Sequence, residues 1–312
     1  MKPLLSLITL LLSHCLYAES TSWPKRLQNT SALPKVIAHK SDIPPFLYET
    51  KSFRFLSDKK LDYHKVREFA KSAESVPAAI KRIPLPLLQL PQSSDAQKPA
   101  IHIFSDLENY TRAGGVANSA GYYSGRQKAV FLRADQFIDL PQGRSVNYKL
   151  LVHELSHLCN DGFIGYTPAW FYEGNAEYFS AAFIPKGSYQ FENMTDRVKN
   201  HIKQHLNQSS SISVPPLKQL LTMSSSDWRE FNALREPEQV YHLYAISLIL
   251  THHFYHQTSN GRSEIKSWLA ACQKRSRHSD PFPQLIAENQ LSPLETQLTN
   301  FWKSKGIKIA FQ

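Results

Sequence analysis

The run His153-Glu154-Leu155-Ser156-His157 constrains this chain more than any other feature, because its two histidines can act together only on a helix. Positions i and i+4 of an α-helix lie on one face a turn apart, so both imidazoles can reach a single ion. Glu154 then sits beside that face, where a carboxylate can work as a base without being a ligand. Leu150, Leu151, Val152, Leu155 and Leu158 give the segment an apolar side suited to burial. Asn147 is placed to cap the helix, and Asn160-Asp161-Gly162 to end it.

A metal that is to do chemistry needs a third protein ligand and an open position. A second helix is expected to open at Thr167-Pro168, with the threonine as cap and the proline as first helical residue. Glu173, one loop downstream of the histidines, is the candidate third ligand. Asp161 stands too near the end of the first helix to fold back easily. Glu177, one turn beyond Glu173, is placed to hold a ligand histidine by its other ring nitrogen. A solvated helix acid is the alternative reading of Glu177.

The pairing of His-Glu-x-x-His at 153–157 with Trp-x-x-Glu-Gly-x-Ala-Glu-Tyr at 170–178 resembles the gluzincin branch of the MA-clan zinc metallopeptidases, in particular the bacterial peptidase MA-like proteins. The resemblance implies that His153, His157 and Glu173 bind one Zn2+ per chain and that Glu154 is the general base. It also implies an α+β fold: a zincin-like catalytic domain with a small mixed sheet and a zinc-binding helix, followed by a mainly α-helical C-terminal lobe. The expected reaction is hydrolysis of peptide bonds inside a chain, and the expected partner a peptide or protein substrate. A strand over residues 128–134 would be the sheet edge along which the substrate backbone pairs, the alternative being a plain core strand. The segment Tyr241-His242-Leu243-Tyr244-Ala245-Ile246-Ser247 is similar to a Tyr-Ala-x-Ser segment of those relatives. That similarity implies Tyr244 as the donor to the developing oxyanion, with Tyr241 as the alternative one turn earlier.

Departures from neighbouring families narrow this further. Metzincins continue with glycine and histidine where this chain has Asn160 and Phe163. The segment Ala113–Asn118 lacks the acid with which aminopeptidase-type relatives hold a free amine, so exopeptidase action has no support in the sequence. Two competing functions remain: a zinc-dependent amidase acting on cell-wall peptides, or a non-catalytic envelope protein keeping zinc for structure or partner binding.

Composition bounds the rest. With 42% hydrophobic and 20% charged residues in 312, the chain is ordinary globular protein. Lys2 followed by the apolar run Leu4–Leu12 and small Ala18 reads as a secretory leader, so export to the periplasm or beyond is expected. Loss of the leader removes Cys15 and leaves Cys159 and Cys272, either paired in a disulfide or buried as free thiols. The net charge of +10 is scattered, without the aromatic interleaving of a nucleic-acid binder. It fits weak retention at an anionic envelope surface, or a solvated surface with no partner at all.

The expected order is a leader at 1–18, an extended Pro-containing segment at 19–50 that is a propeptide candidate, a zincin-like part at 51–207 and a helical lobe at 208–312. Strands are expected at 53–56 and 101–104, and helices at 61–83, 106–112, 193–206, 217–223, 237–256, 262–274 and 293–303. Pro77 should kink or divide the first of these. The pair His201 and His205, and the group His252, His253 and His256, read as surface histidines.

Overall fold

The computed structural model describes residues 23–88, 98–117, 119–138, 147–206, 209–258, 260–276 and 280–312. The expected leader at 1–18 lies outside the described residues.

Short β-rich segments assemble into a six-stranded mixed sheet whose spatial order is Ile37–Ala38, Phe46–Glu49, Arg54–Ser57, Ala100–Phe104, Ala129–Arg133 and Gly121–Ser124. The three central strands run parallel; the first two and the last pair antiparallel to their neighbours. Side chains alternate across a strand, so Phe55, Ile101, Ile103, Val130 and Leu132 share one face and are buried in the main core. The opposite face carries a smaller apolar cluster of Tyr110, Ala129 and Phe131, with Phe104 and Tyr122 packed against it.

The helix Tyr63–Arg82 and the motif helix Tyr148–Phe163 cover the main face and pack on each other. Val66, Phe69, Ala70, Ala73, Val76 and Ile80 are all buried, so one apolar stripe runs the length of the first helix. That continuous packing carries the helix past Pro77 undivided. Asn147 caps the motif helix, accepting a hydrogen bond from the Leu150 N–H. Asn160, Asp161 and Gly162 form its last turn rather than stopping it.

The second helix spans Ala169–Ala182, one residue later than expected, with Pro168 rather than Thr167 at the cap position. The Pro168 carbonyl accepts from the Phe171 and Tyr172 N–H groups, and no side chain caps the end. This helix is wedged between the motif helix and the helix Pro237–His252. Gly174 makes the second approach possible. A Cβ at that position would lie 2.3 Å from the Ser247 carbonyl oxygen and 2.4 Å from Thr251 Oγ1.

The architecture is therefore mixed α+β, with helices dominating after residue 190. Helices Met194–His205, Leu217–Thr222 and Gly261–Gln273 lie close to their expected places, whereas the last, Glu288–Ser304, starts more than a turn before the expected 293 and takes Pro293 inside it. The helix expected over 237–256 stops at His252 and passes into a π-helical turn, His253–Gln257. A helix at Ser225–Ala233, closed by a Ser224–Asp227 capping box, was not anticipated. Nor was the parallel pair Ser211–Val214 with Lys308–Phe311.

The segment expected to be extended, 19–50, is woven into the molecule over its described part. Arg26–Leu27 pairs with Ser188–Gln190, while Ile37–Ala38 and Phe46–Glu49 belong to the large sheet. Trp23 is buried and donates through Nε1 to the Tyr178 hydroxyl at 3.1 Å. Cys159 and Cys272 are both buried free thiols, and burial pushes each up to about 12, which leaves them unreactive at neutral pH. Among the described residues no helix is long and apolar enough to cross a membrane.

Gly174→Ala is expected to lower stability by about 1–3 kcal/mol, the usual cost of overpacking, by forcing the Ala169–Ala182 and Pro237–His252 helices apart. A urea unfolding midpoint unchanged from wild type would refute the close approach.

Candidate metal centre

The i, i+4 spacing brings His153 and His157 together on the motif helix, with their Nε2 atoms 3.0 Å apart. Glu173 reaches across from the second helix, its Oε2 lying 3.5 Å from His153 Nε2 and 3.2 Å from His157 Nε2. Three ligands about 2.0–2.1 Å from a tetrahedral ion sit about 3.3 Å from one another, so the triangle matches one face of such a site. Both imidazoles are buried and Glu173 is half-buried. Together the three form a group that can hold a metal ion.

Each ring is held differently. His153 Nδ1 lies 3.2 Å from Glu177 Oε1, which orients that imidazole with Nε2 facing the triangle. Glu177 is buried, not solvated, and its other oxygen lies 2.5 Å from His201 Nε2 and accepts from the Tyr241 hydroxyl at 3.2 Å. One carboxylate thus ties a ring of the triangle to two further helices. Among the described residues His157 Nδ1 has no hydrogen-bond partner; stacking fixes its ring, with Tyr172 at 4.3 Å and Tyr123 at 6.3 Å between centroids.

His201 corrects the expectation of a surface residue, being 1% exposed. No signal near residue 201 reveals this, because its partner Glu177 is brought in by tertiary packing. His205 does lie at the surface, stacked on the Tyr241 ring at 4.6 Å. His252 and His253 are also buried rather than exposed, and His256 hydrogen-bonds the Tyr178 hydroxyl at 2.8 Å. Here a signal existed. The second half of the Pro237–His252 helix, Ala245–His252, is largely apolar around its whole circumference, which marks a segment buried on every side.

Glu154 is buried beside the triangle, outside its three donor atoms. The backbone N–H of Tyr123, on the last strand of the sheet, faces its carboxylate and acts weakly to lower its pKa. Burial raises its pKa above the ordinary carboxylate value, against the pull of the two imidazoles, making it a stronger base than an exposed glutamate. Burial also acts to raise Glu173, but the adjacent imidazoles outweigh it and hold that carboxyl at about 2.

The expected edge strand over 128–134 is interior: Ala129–Arg133 pairs with Ala100–Phe104 on one side and Gly121–Ser124 on the other. Gly121–Ser124 is the edge, and Tyr123, opposite Val130, points to the helix-covered face. Tyr244 is half-buried with its ring 6.2 Å from the His153 ring, and burial together with the Glu173 charge pushes its pKa up. Its hydroxyl therefore stays protonated as a donor. Tyr241 is engaged by Glu177 instead. None of the described residues of the 23–50 segment touches His153, Glu154, His157 or Glu173 through a hydrogen bond, ion pair or ring contact.

Compared with known proteins, the chain matches no family model and no curated protein.

The carboxylates make this pocket seek positive charge. Burial opposes protonation of His153, but Glu173 and Glu177 raise its pKa well above the usual 6.5. Proton and metal compete for the same Nε2 lone pair, so metal affinity should grow as pH rises through that raised value and fall on acidification. Equilibrium dialysis at pH 5 and pH 8 should show weaker metal retention at pH 5. Removing the Glu177 carboxylate (Glu177→Gln) should cost roughly 10–100-fold in metal affinity, measured by chelator competition.

Proposed function

We propose that this protein is a zinc-dependent metallopeptidase of gluzincin type that hydrolyses peptide bonds within chains. The observation that carries the reading is the triangle of His153 Nε2, His157 Nε2 and Glu173 Oε2, with Glu154 as a separate buried carboxylate at its side. Two imidazoles and one carboxylate form a donor set suited to zinc, and three protein ligands leave a fourth position open. When bound there, zinc would supply Lewis acidity, polarising a carbonyl and lowering the pKa of water to about 7.

The chain's own residues supply the rest. Glu154, with its raised pKa, takes a proton from the attacking water and can return it to the leaving amine. The Tyr123 backbone of the sheet edge lies beside that carboxylate, so base and edge strand face the same cleft. Tyr244 donates its hydroxyl to the oxygen on which negative charge develops. The outer side of Gly121–Ser124 pairs with no strand among the described residues, which suits it to receive an extended substrate by strand addition. Glu177, His201 and Tyr241 hold the His153 ring in its working tautomer and orientation.

Cleavage of an unfolded protein substrate by the zinc-loaded chain tests the proposal. Glu154→Gln should keep about one zinc per chain yet lose roughly 10²–10⁴-fold in turnover, while Glu173→Ala should lose the metal. Tyr244→Phe should lower kcat by roughly 10²-fold with KM little changed, and Tyr241→Phe by less. Absence of zinc from gently purified wild-type protein, or equal turnover by Glu154→Gln, would overturn the reading.

A further inference from the structure

Asp161 continues the ligand row of the motif helix, one turn beyond His157 as His157 is one turn beyond His153. It has no part in the chemistry above. Its Oδ2 accepts a hydrogen bond from the Tyr123 hydroxyl at 2.6 Å. Among the described residues nothing donates to its Oδ1 and no cation pairs with it. Tyr123 and Tyr172, the two rings stacked against His157, both stand close to it. After burial, the Asp161 charge is what most raises the Tyr172 hydroxyl.

Asp161, Tyr123, Tyr172 and Glu173 are all half-buried, so this corner opens to solvent beside the ligand carboxylate. The edge-strand hairpin reaches it as well, since a Cβ on Gly125 would lie 3.9 Å from Asp161 Oδ2. A helical turn advances about 5.4 Å and an extended peptide about 3.3 Å per residue. A substrate laid along Gly121–Ser124 with its scissile bond at His157 would therefore bring a side chain one or two residues away to Asp161.

We infer that Asp161, walled by Tyr123 and Tyr172, is a specificity-determining residue that takes an ammonium or guanidinium group of the substrate beside the scissile bond. This rests on the peptidase reading above. A carboxylate with a free oxygen supplies a charge-assisted hydrogen bond, and tyrosine faces attract cations. A neutral or acidic side chain in the same place leaves Asp161 without a partner or faces its repulsion. The group comes from a lysine or arginine side chain, or from a free N-terminus.

The test is peptide binding to zinc-loaded Glu154→Gln protein, which prevents turnover. Blocked peptides carrying lysine or norleucine at each position in turn are compared by fluorescence anisotropy, with free-amine norleucine peptides as a second arm. Asp161→Asn is added to that background because asparagine keeps an acceptor for Tyr123 while removing the charge. Asp161→Glu keeps the charge, and Tyr123→Phe removes only the hydroxyl.

The expected result is a lysine preference of roughly tenfold or more, abolished in Asp161→Asn and retained in Asp161→Glu and Tyr123→Phe. A gain on freeing the N-terminus instead, equally lost in Asp161→Asn, also supports the subsite and assigns it to the terminal amine. Equal binding of all peptides, or a preference that survives Asp161→Asn, overturns the proposal. Zinc content of each variant shows that the fold is intact. Failure of the peptidase reading would show separately, as wild-type protein leaving the bound peptides uncleaved.

Discussion

The close approach of three helices is what the site depends on. Two imidazoles a turn apart define only a line; Glu173 turns the line into a triangle, and it comes from a helix that must lie against the motif helix. That helix is pressed from its other side by Pro237–His252, where Gly174 leaves room for the Ser247 carbonyl. The same approach delivers Tyr241 to Glu177 and Tyr244 to the neighbourhood of His153. Backbone clearance at one residue thus supports both the ligand set and the donors around it.

The parts of this arrangement that are local in the chain were legible. Helical periodicity places His153 beside His157, Asn147 caps as its side chain dictates, and most later helices follow their apolar stripes. What eluded the sequence depends on long-range pairing. Whether Ala129–Arg133 is an edge or an interior strand is decided by a partner, Gly121–Ser124, that shows little strand pattern of its own. Two-residue strands such as Ile37–Ala38 carry no periodicity to read. The part of His201 is set by Glu177, 24 residues away, and only the folded chain brings them together.

Charge is distributed to a purpose around the centre. The chain as a whole is basic, at +10, yet the residues converging on the histidines are Glu154, Glu173, Glu177 and, one turn on, Asp161. Glu173 and Glu177 neutralise what they face and raise the affinity of the pocket for a cation. Glu154 is set apart by burial, which raises its pKa against the pull of the two imidazoles.

The sheet has two unlike borders. One ends in the two-residue strand Ile37–Ala38, whose stub offers little for another chain to extend. The other, Gly121–Ser124, lies beside the candidate metal centre, pairs with no further strand among the described residues, and is open to any strand that fits it, including the same segment of a second copy. Its brevity and the Arg126 and Lys128 of the adjoining turn work against that, because two like-charged hairpins repel when they meet edge to edge. Crowding, concentration and salt should therefore decide how often this border is occupied by a neighbour of its own kind, with screening of the basic turn favouring association.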